Sequence, residues 1–291
     1  MAESKAVPIG KSYDAVVVGA GNGGLAAAAQ LAAKGVKTLL LEQHNLPGGF
    51  ASSFVRGRFE FESAMHLVAD VGWPGDKGGV RKFLEDDLGI FLDWVEIPEA
   101  YRLCLTDPRE KLDVTIPYGV EPFINAVVDA VPGSREAVTD YVNLFNEVVE
   151  ALTYLGESRG NPDKKVLTGK YANFLKTAPY TVDQVAKAMT IPRRAQDIIH
   201  ALWVYLGPST DRLSFTVFAG MMAKLIRYSG FIPRHRSHEF TASLEARFRE
   251  LGGESAFMTR VEQILVENGQ VVTLAHALAE LGAVALLAGG D

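Results

Sequence analysis

Residues Tyr13 to Ser53 read YDAVVVGAGNGGLAAAAQLAAKGVKTLLLEQHNLPGGFASS. The stretch parses as strand, glycine-rich turn, helix, second strand, acidic residue and second glycine pair. Ala15-Val18 is a short β-branched run suited to a parallel strand buried on both faces. Gly19, Gly21 and Gly24 then occupy the three places of G-x-G-x-x-G. The first glycine permits the tight turn, the second lets backbone approach a pyrophosphate, and the third brings helix close to strand. A helix rich in Ala and Leu is predicted from about Gly24 to Lys34, with Gly35 as its stop. Its N-terminus presents unpaired N–H groups and the positive dipole end to a phosphate. Val36-Leu41 is the second strand, and Glu42 follows it, where a carboxylate can accept hydrogen bonds from ribose hydroxyls. Glycine clusters also make ordinary turns, but here strand, helix, strand and acid follow in the order that a dinucleotide site requires.

The second glycine pair shifts the reading from NAD to FAD. The run resembles the extended pattern of two-dinucleotide-binding flavoproteins, G-x-G-x-x-G-x3-A-x2-L-A-x2-G…E-x5-G-G. Ala28, Leu31, Ala32, Gly35, Glu42, Gly48 and Gly49 fill its places, with Thr38 where Val is usual. Pro47-Gly48-Gly49 is a turn without bulky side chains, past which a cofactor can lie close to backbone. Gly23 and Gln43 sit within the same two turns and join the candidate cofactor-binding set.

Phe54 to Val68, FVRGRFEFESAMHLV, is similar to the segment that follows the glycine pair in phytoene desaturases, carotenoid isomerases and retinol saturases. Phe59, Phe61, Glu62 and His66 match that group in kind, whereas Ala64 stands where Gly is usual and Glu62 where Asp is usual. A second resemblance begins at Gly230-Phe231-Ile232-Pro233-Arg234 and continues through Gly252-Gly253 into TRVEQILVENGQV. The group has G-G-S after that Pro-x; here His235-Arg236-Ser237 takes its place. The resemblance implies an α/β fold: a Rossmann-like FAD-binding domain interrupted by a mixed, mostly helical substrate domain. It implies that backbone near Val261 meets the adenine end of FAD and that His66 is the acid–base candidate. The implied activity is a flavin-dependent oxidoreductase working on C=C or C–C bonds of an apolar polyene or isoprenoid, as desaturase, saturase or isomerase. Two rivals share the fold. Amine oxidases usually carry Arg after the glycine pair, where this chain has Phe50, and GDP-dissociation inhibitors bind prenylated proteins without flavin and depart from the full glycine pattern.

Composition narrows the classes. A length of 291 residues suits about two domains, and 48% hydrophobic content is that of a globular chain. A net charge of −6 gives no reason to propose nucleic acid. The single cysteine, Cys104, suggests a reducing, cytoplasmic setting and reads as a small buried hydrophobe in the strand YRLCL. His235-x-x-His238 alone is a weak metal motif, and no G-x-S-x-G or P-loop pattern occurs.

The expected division is a leader over residues 1–12, FAD-binding parts over 13–75 and 230–270, a substrate domain over 76–229, and an atypical or truncated tail over 271–291. Within the tail, Leu274, Leu278 and Leu281 have the spacing of an amphipathic helix, although Arg260-Glu267 and Gln270-Ala275 also read as a hairpin across Asn268-Gly269. Trp203, Tyr205, Phe215, Phe218, Met221, Met222 and Phe231 are candidates to line an apolar substrate pocket, although aromatic stripes at helical spacing more often form core. Lys224, Arg227, Arg234 and Arg236 suggest either peripheral attachment to an anionic membrane or a solvated basic face.

Overall fold

The computed structural model describes residues 11–108, 110–268, 270–276, 279–282 and 286–288. The leader before residue 11 lies outside them. Two compact units emerge. The first gathers Met1–Val68, Arg81–Val95 and Phe231–Asp291, and the second Ala69–Val80 and Glu96–Gly230.

The first unit is Rossmann-like. Strand β1 (Ala15–Val18) leads into helix α1 (Asn22–Ala33), then strand β2 (Thr38–Leu41). A two-stranded hairpin follows, β3 (Ser53–Arg56) with β4 (Phe59–Glu62), and later come helix α2 (Arg236–Glu250) and strand β5 (Glu254–Ala256). The chain then enters the antiparallel strands β6 (Val261–Glu267), β7 (Gln270–His276) and β8 (Ala279–Gly282), and ends with β9 (Leu286–Ala288). The parallel sheet has the order β5-β2-β1-β9. Val16, Val17 and all of Leu39 to Leu41 are buried, as a central parallel strand covered on both faces requires. Helix α1 packs on α2 and on the sheet, placing Leu25, Ala28, Ala29 and Ala32 in the core.

Two expectations need correction here. Arg81–Val95 belongs with the first unit, not with the insert, because this segment is fastened to α2. Arg247 Nε donates to the Leu88 carbonyl at 2.7 Å, and Trp94 meets the Phe240 ring edge-on. The described residues of the tail are strand, not helix: β7 and β8 pair antiparallel, and β9 pairs in parallel with β1. The β-branched run after residue 270 and the turn at Asn268, at φ +51°, commit that segment to a hairpin, which overrides the leucine spacing. Leu278 lies outside the described residues.

The second unit is mostly helical, with two antiparallel pairs among the described residues, Tyr101–Leu105 on Leu112–Ile116 and the short Gly72–Trp73 on Asp76–Lys77. Its core is aromatic: Phe123, Tyr141, Phe145, Phe215 and Phe218 are fully buried. Helix Arg135–Glu157 packs along Phe215–Tyr228 through these rings. Thr181 and Gln184 close a full capping box on the helix Val182–Ala188.

Candidate functional site

The site is built on the turn between β1 and α1. Gly19 has φ +96°, a backbone region that favours glycine, and its N–H donates to the Leu41 carbonyl at 2.7 Å. A Cβ on Gly24 would stand 1.9 Å from the Gly19 carbonyl oxygen, so only glycine lets the helix start this close to the strand. Gly21 and Gly23 have no such neighbours within 4 Å. Gly21 is the N-cap of α1 and supplies no side-chain cap, and no acidic residue occupies the first turn. That leaves an N-terminus suited to an anion.

The second glycine turn meets the first backbone to backbone. Gly48 N–H donates to the Ala20 carbonyl at 2.7 Å, and a Cβ on Gly49 would come within 3.2 Å of Gly21 Cα. Gly48, at φ +124°, has no room for a side chain either, since its Cβ would lie 2.7 Å from the Ala51 carbonyl oxygen. Glu42 is buried between the turns and accepts the N–H of Ala20 at 2.6 Å and of His44 at 2.7 Å. The segment after β5 runs along the same edge. Glu42 N–H donates to Ala256, and the N–H of Thr259 returns to Glu42, each through the main-chain carbonyl.

These elements enclose a cavity of about 700 Å³. Gly19, Gly21, Gly23, Gly24, Glu42, Gln43, Gly48, Gly49 and Val261 all line it, so the structure brings the whole candidate cofactor set together. Asn22, His44, Thr259 and Arg260 line it as well and had no motif to announce them. Arg260 is exposed and adds a cation to the cavity lining, an apt neighbour for a pyrophosphate.

His66 is not among the lining residues. It is exposed, and its N–H donates to the Ala64 carbonyl. The hairpin before it turns its polar edge to α2: Glu62 receives Ser237 Oγ at 2.5 Å and the Ser237 N–H at 3.1 Å, and Glu60 faces Arg236. Phe54, Phe59 and Phe61 are left exposed, with Phe54 stacked on Phe61 at 5.3 Å between centroids. Arg236 has φ +70°, at a position where the resemblance places a glycine.

The apolar candidates divide. Phe215, Phe218 and Met222 are fully buried in the second unit's core, and Met221 and Trp203 pack against that core. Phe231 is buried, and Tyr205 is 55% exposed. The stripe is therefore mostly core. Cys104 is exposed, not buried: a two-stranded sheet covered on one face turns Arg102 and Cys104 to solvent, with Sγ 3.4 Å from an Asp113 carboxylate oxygen. The four basic residues each face an acid, Lys224 with Asp70, Arg227 with Asp76, Arg234 with Asp93 and Arg236 with Glu60. All four are charge-paired, which weakens their case as membrane-binding residues. Among the described residues no helix is long and apolar enough to cross a membrane.

Residues 17–86 match the family model described as an NAD(P)-binding Rossmann-like domain. Human all-trans-retinol 13,14-reductase is 22% identical over 267 residues, covering 89% of this chain and 43% of that protein. Carrot chloroplastic prolycopene isomerase is 25% identical over 282 residues, covering 91% of this chain and 44% of that protein. The chain is thus similar to retinol saturases and carotenoid isomerases. It spans less than half the length of these curated relatives. Among solved structures, an oxidoreductase from Methanosarcina mazei superposes with a TM-score of 0.67 at 16% identity, over 95% of this chain and 58% of that one. A RAB GDI from Plasmodium falciparum superposes with a TM-score of 0.59 at 12% identity, over 96% and 65%. At these identities the structural likenesses establish the fold, which enzymes and a GDI share.

Proposed function

We propose that this chain holds FAD in the cavity beside Gly21 and serves a flavin-dependent oxidoreductase of apolar polyenes or isoprenoids. The observation that carries the reading is the convergence of all nine candidate residues, from three separate stretches of sequence, on one cavity. The turn Gly19–Gly24 would cradle the pyrophosphate with backbone N–H groups, Glu42 would face the ribose, and Val261 would lie at the adenine end. Arg260 would add a counter-charge. When bound, the flavin supplies hydride exchange with a C=C or C–C unit, and the protein supplies binding, orientation and exclusion of water. The names of the relatives, a retinol reductase and a prolycopene isomerase, support an apolar polyene as the substrate class. Full glycine spacing and the buried Glu42 favour this reading over a GDI-like prenyl binder, and Phe50 in place of Arg disfavours an amine oxidase. A cytoplasmic setting with peripheral membrane contact remains part of the proposal.

The first test is the visible spectrum of purified chain before and after FAD is added, beside Gly21→Val. A Cβ there meets no protein atom within 4 Å and Gly21 lines the cavity, so a valine should abolish flavin uptake while leaving thermal stability unchanged. Normal FAD binding by that variant would overturn the assignment. His66 is proposed as an acid–base group on the resemblance alone. His66→Ala should keep FAD uptake and lower turnover on a polyene substrate; unchanged turnover removes it from the site.

A further inference from the structure

We propose that Glu42 is a positioning residue for the glycine turn: its carboxylate fixes the backbone at Ala20 in the shape that accepts a pyrophosphate, before any ribose is present. The inference rests on the FAD-binding reading and assigns Glu42 a second role within it. Both backbone groups of Ala20 are engaged from outside the turn. Its N–H donates to Glu42 Oε2 at 2.6 Å, and its carbonyl accepts Gly48 N–H at 2.7 Å. Ala20 is completely buried, and it lies between Gly19 and Gly21, so fixing it sets where those two glycines stand. Glu42 Oε1 meanwhile accepts His44 N–H at 2.7 Å, and the Glu42 main chain is tied to Ala256 and Thr259.

The electrostatics point the same way. Glu42 is only 9% exposed, and among the described residues no Lys or Arg forms an ion pair with it. Two main-chain N–H groups converge on its carboxylate, and bonds of that kind are short and strong. Each oxygen also has a second acceptor position, so ribose can be recognised without releasing either amide. The two roles are thus separable by chemistry, because a nucleotide without ribose hydroxyls can report on one and not the other.

The experiment pairs ADP and 2′,3′-dideoxyadenosine diphosphate with the wild-type chain and Glu42→Gln, with affinities measured by calorimetry. A glutamine offers one carbonyl oxygen where two amides need an acceptor. The proposal expects the dideoxy nucleotide to weaken roughly tenfold, corresponding to the loss of one charge-assisted hydrogen bond, and ADP, which also presents its ribose hydroxyls, to weaken by at least that factor. It also expects the Ala20 amide proton of the free protein, read by NMR, to lie downfield in the wild type and to move upfield in the variant. A penalty seen with ADP and absent with the dideoxy nucleotide would overturn it, leaving Glu42 as a ribose acceptor alone. Should Glu42→Gln not fold, Glu42→Asp, one methylene shorter with its charge kept, enters the same comparison. Failure of both nucleotides to bind wild-type protein would sink the FAD reading instead. The Ala20 resonance would still decide the clamp, since an undisplaced, rapidly exchanging amide in wild type rules it out.

Discussion

Around the cavity, the positions that matter are those with nothing to pack; in the helical unit, they are those with the most. Gly24 and Gly48 are fixed by the absence of a side chain, because backbone must pass where a Cβ would stand, and Gly19 by its positive φ. Phe145, Phe215 and Phe218 are fixed by volume, each filling space that its neighbours leave. A site made of backbone admits one residue type per position. A core made of volume admits several, provided the total is kept. The first unit should therefore fail abruptly when its glycines are changed, and the second should fail in proportion to the atoms removed.

The sharpest way to break that contrast is Gly24→Ala. One methyl at 1.9 Å from the Gly19 oxygen cannot be relieved by rotating a side chain, so α1 must move off the sheet. We expect a loss of about 4 kcal/mol or more, at the exceptional end for a single methyl. Chemical denaturation followed by circular dichroism measures it. A loss below about 1 kcal/mol would show that the turn is looser than its geometry. Set beside Gly21→Val, where space is open, the pair separates a glycine needed for packing from one needed for a ligand.

Next in size is Phe218→Ala. Phe218 is fully buried and meets Phe145 edge-on at 5.9 Å and His200 edge-on at 5.3 Å. Removing the ring should cost about 3–5 kcal/mol, transfer and cavity combined. Phe59→Ala is the control, since Phe59 is 57% exposed and touches Arg58 by a cation–π contact worth about 0.5–1 kcal/mol. Equal losses from both would mean that the exposed hairpin carries structure that its burial does not reveal.

The same contrast explains what could be read from the amino acids. The glycine positions and Glu42 were legible because each answers a demand that other residues cannot meet. Val261 came through family resemblance, since any residue can present the same backbone. The clamp on Ala20 left no trace, because a carboxylate accepting main-chain N–H groups places no requirement on the type of the donor. Asn22, His44 and Arg260 reach the cavity as ordinary neighbours of motif residues. In the helical unit, spacing could not tell pocket from core for Phe215, Phe218 and Met222. Cys104 was misread because alternation in YRLCL fixes two faces without saying which is covered. Arg81–Val95 was misassigned because its attachment to α2 runs through a main-chain carbonyl and a ring edge, neither visible as a pattern.

The smallest effect tests whether the helical core also sets the pH range of its own unit. His200 is buried within it, with Nε2 3.0 Å from the Tyr141 hydroxyl, itself buried. Burial pushes the imidazole pKa down to about 4, Asp183 opposes that shift, and Arg193 adds to it. The sign follows from linkage. A histidine lowered in the folded state binds its proton more readily once unfolded, so folding loses stability as pH falls below the unfolded value near 6.5 and stops losing it near 4. Within that window the slope approaches about 1.4 kcal/mol per pH unit for one proton. Denaturation of the wild type and of His200→Gln at pH 7, 6, 5 and 4 should show the wild type converging on the variant as acid is added. The amide keeps a partner for Tyr141 but has no proton to take up. Parallel curves would mean that His200 takes up its proton within the fold as readily as in the unfolded chain.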